Sequence, residues 1–82
     1  MNINFLELLN SLISPLLIYP EDLKIEVLED EADFKSYKVL VRKEDIGRVI
    51  GKNGKLASAI RTIVYAGATK AGIKIKVEFE NL

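Results

Sequence analysis

Cysteine and histidine are missing from all 82 residues of this chain. Without cysteine, neither a disulfide framework nor a thiolate metal site can form. Without histidine, the commonest general base and the commonest metal ligand are gone. Carboxylates alone could hold a hard cation, but no loop collects them at the spacing of a calcium site. Long apolar runs are absent too. The stretch from Ile3 to Tyr19 is broken by Glu7, Asn10, Ser11, Ser14 and Pro15, which makes it too polar and too short for a membrane span. The first basic residue is Lys24, so the positive start of a signal peptide is lacking. The expectation is a cytoplasmic, soluble protein with no membrane contact and no cofactor. It is not an enzyme on this reading, because no nucleophile–base pair and no metal cluster is visible.

What is present is ordinary in amount and uneven in arrangement. A composition of 49% hydrophobic and 29% charged residues is too apolar for disorder, and the length allows one small domain over residues 1–82 with a single modest core. Net charge is zero, yet the balance is −5 from Met1 to Val41, +7 from Arg42 to Lys76, and −2 in the remaining tail. Either the acidic and basic segments pair across the folded surface, or the basic middle meets a polyanionic partner.

Periodicity supplies the elements. In residues 1–19, Phe5, Leu6, Leu9, Leu12, Ile13, Leu16 and Leu17 recur at helical spacing, with Asn2 or Asn4 as the cap and Pro15 as a kink or restart. Pro20-Glu21-Asp22 ends that segment and turns the chain. Residues 23–41 alternate as two strands, with Leu23, Ile25 and Val27 on one face of the first and Tyr37, Val39 and Val41 on one face of the second. The acidic run Glu29-Asp30-Glu31 separates them. Residues 44–70 read as helix, glycine turn, helix. Ile46, Val49 and Ile50 are apolar in the first helix, and Glu44 and Asp45 suit its positive end. In the second, Leu56, Ala59, Ile60, Ile63, Ala66 and Gly67 form a stripe widened by Ala57, Val64 and Ala68. Small residues there predict close approach to a sheet. Ser58, Arg61, Thr62, Tyr65 and Thr69 face outward, and Gly72 stops the helix. Residues 73–79 alternate again. The α-β-β-α-α-β order predicts an α+β fold: a three-stranded mixed sheet, second strand central, third parallel beside it, three helices packed on one face.

Gly51 and Gly54 bracket Lys52 and Asn53 between the two helical patterns. Glycine takes positive φ and leaves no side chain in the way of an approaching group. The following helix opens with unpaired N–H groups and partial positive charge, which suit a phosphate. Lys52, Lys55 and Arg48 add full charges. The pattern fits a grip on a sugar–phosphate backbone, and it also fits a simple turn. A nucleotide-binding P-loop is excluded: Gly54-Lys55 is followed by Leu56 and preceded by a helix, and Gly47 precedes Gly54 by seven positions where that motif needs five.

Ile50-Gly51-Lys52-Asn53-Gly54 resembles the I-G-x-x-G signature of KH domains, and strands before the glycines with one after resemble the bacterial, type II arrangement. Pro15 to Val27, and the segment from Gly47 to Phe79, resemble the small stand-alone bacterial KH proteins of the KhpA-like family over nearly the whole chain. The resemblance implies binding of single-stranded RNA, about four nucleotides clamped with the loop on the backbone. It implies that Gly51, Lys52, Asn53 and Gly54 touch phosphates, and that Ile46, Gly47 and Ile50 form an apolar wall under the bases. Arg48 would flank that wall, Lys55 and Arg61 would supply charge, and strand residues near Lys38 to Arg42 would form the far wall. It also implies a homodimer or a pairing with a larger multidomain KH-containing protein, a chaperone or post-transcriptional role, and a link to bacterial cell elongation and division. No aromatic residue sits in or beside the loop, and Tyr37 is the nearest, so base specificity should be weak and the contact largely electrostatic. The alternative is a dimerisation module whose glycine loop and neighbouring helix form the interface, motivated by the apolar Ile46, Ile50 and Ile60 near the loop, with RNA binding secondary.

Overall fold

Asn4 caps the first helix, α1 (Phe5–Ile13), its side-chain oxygen accepting from the Glu7 amide at 3.1 Å. The structure, a computed structural model, describes residues 3–82, so the alternative cap at Asn2 lies outside the described residues. Phe5, Leu9 and Ile13 point into the core, one turn apart. Pro15 cannot continue the ladder, and the chain tightens into a single turn at Ser14–Leu16. A second such turn at Pro20–Asp22 redirects it into β1 (Lys24–Asp30).

β1 pairs antiparallel with β2 (Phe34–Val41), and β2 pairs parallel with β3 (Lys74–Asn81). The order is β1-β2-β3, so the second strand is central, as the order of elements predicts. A bulge between Val27 and Glu29 shifts the register; beyond it the first strand is solvent-exposed, including Val27 and Leu28. Tyr37, Val39, Val41 and Val77 carry the sheet's buried face. Between β2 and β3 run a turn at Lys43–Asp45, α2 (Ile46–Ile50), a turn at Lys52–Gly54 and α3 (Lys55–Ala71). All three helices pack on the same side of the sheet, in one core of Phe5, Leu9, Ile13, Val39, Val41, Val49, Ile60 and Val64 among others. Each such side chain contributes about 1.5–3 kcal/mol by leaving water.

The α3 stripe differs from the pattern read in sequence. Ala57, Ile60, Val64 and Ala68 are buried, whereas Ala59, Ile63 and Ala66 are exposed. Two overlapping apolar stripes run along this helix, and packing selects the one nearer the sheet. Gly67 serves a helix contact rather than a sheet contact: a Cβ there would lie 3.1 Å from Ile3 Cδ1 and 3.7 Å from Phe5 Cε1. It lets the start of α1 rest on α3.

Candidate nucleic-acid interface

The glycine loop turns through a corner that a side chain at Gly51 cannot occupy. Gly51 has φ 73° and ψ 177°, a region open almost only to glycine. A Cβ on Gly51 would sit 2.6 Å from Leu56 Cβ and 3.0 Å from the Leu56 nitrogen. Asn53 (φ 56°) and Gly54 (φ 73°) are left-handed, which asparagine and glycine tolerate best. The Gly54 amide donates to the Gly51 carbonyl at 3.2 Å, and the Lys55 amide donates to Lys52. Two amides that the sequence left free at the helix start are therefore used inside the loop. Lys52, Asn53 and Lys55 are exposed, and Gly47 on α2 has open space where a Cβ would stand. Ile46 and Ile50 are half-buried against the core, one face inside and one outside. Ile60 is 3% exposed and is not available to an interface.

Asp45 holds this unit in place, and not as a helix-end charge. Its carboxylate is fully buried and accepts from the Ile18 amide at 3.0 Å and the Tyr19 amide at 2.8 Å. Arg48 Nε lies 3.6 Å from the same carboxylate, with the guanidinium otherwise in solvent. Beside it, Arg42 stacks on Tyr19 at 4.1 Å and pairs with Asp22 and Glu44. Ile18, Tyr19 and Asp22 lie 20 or more positions before Arg42 and Asp45, so periodicity alone carries no sign of those contacts.

Across from α2 and α3 stands β3, not β2. The middle strand is flanked on both sides, so residues Lys38 to Arg42 cannot form a far wall. Lys38 instead pairs with Glu80, and Val39 and Val41 are core. The Lys74 and Leu82 amides turn toward the β2 side, donating to Asp33 and Val41. By alternation Ile75, Val77, Phe79 and Asn81 present theirs to the open edge. Arg61 crosses from α3 to that edge, donating Nε to the Val77 carbonyl at 3.0 Å and lying 5.0 Å from the Phe79 ring centroid. Its remaining guanidinium N–H groups are left for another acceptor. Tyr37 is buried at 5% exposure and cannot stack a base; burial holds its phenol above the usual tyrosine range and therefore neutral.

The acidic and basic segments do not neutralise each other. Arg42 with Asp22 is the ion pair joining them among the described residues. Lys43, Lys52, Lys55, Arg61, Lys70 and Lys74 have no carboxylate partner within 4.0 Å among those residues, and all fall in the basic middle. Among the described residues, no helix is long and apolar enough to cross a membrane.

A helix, two strands, a helix–glycine loop–helix unit and a parallel third strand together define a type II KH domain. The comparisons agree. A family profile described as "KhpA/KhpB, KH domain" matches residues 6–79. The chain is 49% identical over 72 residues to a protein of Listeria monocytogenes named "RNA-binding protein KhpA", covering 88% of this chain and 93% of the relative. Proteins with the same name from Lactiplantibacillus plantarum (90% of this chain, 86% of the relative) and Bacillus subtilis (88% of each) are both 38% identical. No solved structure matches the chain. The chain belongs to the KhpA/KhpB KH-domain family.

Proposed function

We propose that this protein binds single-stranded RNA without catalysing a reaction on it, and acts as an RNA chaperone or post-transcriptional regulator in the cytoplasm. The loop of Gly51, Lys52, Asn53 and Gly54 lies against the sugar–phosphate backbone. Ile46, Gly47 and Ile50 offer the apolar surface under the bases, with Arg48, Lys55 and Arg61 supplying charge around it. The observation that carries this reading is Gly51: its conformation and the nearby Leu56 both exclude a side chain, and the exposed positions beside it are cationic or amide. The names of the relatives support RNA as the ligand. Family membership supports a homodimer or a pairing with a larger multidomain KH protein, and a role in cell elongation, division and wall biogenesis.

Without an aromatic residue in the loop, phosphate contact dominates the affinity. The expected result of a salt titration is a straight fall of log K against log salt, with a slope of about −2 to −3 for three or four neutralised phosphates on a single strand. Fluorescence anisotropy with labelled oligouridine reads it. A flat response contradicts the proposal.

A further inference from the structure

We propose that the RNA strand held at the glycine loop continues along the cleft between α3 and β3, and that Tyr65 stacks a further base at its distal end. The inference rests on the reading that the loop binds RNA, and extends it to a second contact point.

Four observations converge there. α3 and β3 run in opposite directions, so Arg61 stands against Val77 and Phe79, and Tyr65 and Thr69 stand against Ile73 and Ile75. Arg61, Tyr65 and Thr69 are spaced by four and so share one helix face. Arg61 therefore stands on the path from the loop to this end of the helix, and Tyr65 lies ten residues past Lys55, about 15 Å along the axis. Next, Tyr65, Ala68, Thr69, Ile73, Lys74 and Ile75 line a concavity of about 360 Å³, within the size range of small-molecule sites. Third, Tyr65 is 40% exposed and lines that concavity, and an aromatic face is a sequence-tolerant platform for a base. Last, Lys74 lines the same concavity and Lys70 lies one position past Thr69, neither with a carboxylate partner among the described residues. The cleft carries the charge that a polyanion needs along its length. Its end is set by the acidic run Glu29 to Asp33, since the Lys74 amide is bonded to the Asp33 carbonyl. A backbone following the cations stops there.

The test compares an oligouridine tetramer with an octamer on wild type, Tyr65→Ala, Tyr65→Trp and the loop variant Lys52→Asp/Asn53→Asp. Wild type gains affinity from tetramer to octamer beyond the statistical factor of added registers. Tyr65→Ala loses about tenfold on the octamer and keeps tetramer affinity, and Tyr65→Trp restores the octamer. The loop variant loses both lengths, which separates the two contacts. No length-dependent gain, an equal loss on both lengths in Tyr65→Ala, or failure of tryptophan to rescue overturns the distal contact while leaving the loop reading standing. Tyr65→Ala that loses self-association but no RNA affinity overturns it too, and assigns the cleft to a protein. If the loop variant alone leaves RNA affinity intact, the loop reading fails, and the octamer result still decides the cleft.

Discussion

Changing Lys52 and Asn53 together to aspartate should weaken RNA binding on the order of 100-fold and leave the melting temperature within about 4 °C. The binding loss follows from two positions at a phosphate contact. Each charge-assisted hydrogen bond is worth about 1.5–3 kcal/mol, and every 1.4 kcal/mol is tenfold. Replacing donors by anions also adds repulsion. The unchanged stability follows from the geometry. Both side chains are exposed, and exposed substitutions of this kind stay within about 0.5 kcal/mol. Asn53 is left-handed, a conformation aspartate adopts nearly as well, and an anion next to the start of α3 favours that helix. Binding and unfolding measured on one preparation check both halves. A large drop in melting temperature would mean that the loop is a structural turn first.

The largest stability effect belongs to Asp45. Asp45→Ala should cost about 3 kcal/mol, because it leaves the Ile18 and Tyr19 amides without their acceptor and Arg48 without its partner. For a domain this small that lowers the melting temperature by roughly 12–24 °C, a large share of a total of about 5–15 kcal/mol. Asp45→Asn keeps one acceptor oxygen and should fall between wild type and alanine. Thermal unfolding followed by circular dichroism reads all three. The link to function is positional: this carboxylate fixes where α2 starts relative to the segment after α1, and α2 delivers Gly47, Arg48, Ile50 and Gly51 to the surface. Loss of the carboxylate with no loss of stability would remove that role.

The glycine corner and Asp45 show where sequence reading succeeds and where it stops. Strand alternation around Val39 and Val77 and the helical spacing of Leu9 and Ile13 are local patterns, and they specify the element order and the mixed sheet. The glycine corner is equally local, since only glycine suits the conformation at Gly51. Asp45 is not local. Its acceptors' donors lie 27 and 26 positions away, so a carboxylate near a helix start looked like a dipole partner. The α3 stripe failed for a different reason: Ile63 and Ile60 fit helical periodicity equally well, and only the sheet's position decides that Ile63 is exposed. The wall at Lys38 to Arg42 came with the resemblance and conflicts with the strand order that the element order already predicts. Once β3 lies at the edge, the central strand has no free side to offer. The charge asymmetry was visible in the sequence, but whether it survived folding was not; the short supply of cross-segment ion pairs shows that it did.

Contact between RNA and the Gly51–Gly54 corner is the heart of the proposed function. Adding oligouridine to isotope-labelled protein and following backbone amide resonances tests it most directly. The Gly51, Lys52, Asn53 and Gly54 amides should shift first and furthest, with smaller shifts along the α3–β3 cleft. Shifts confined to the open face of the sheet around Lys38 and Glu78, with the loop amides unmoved, would contradict it.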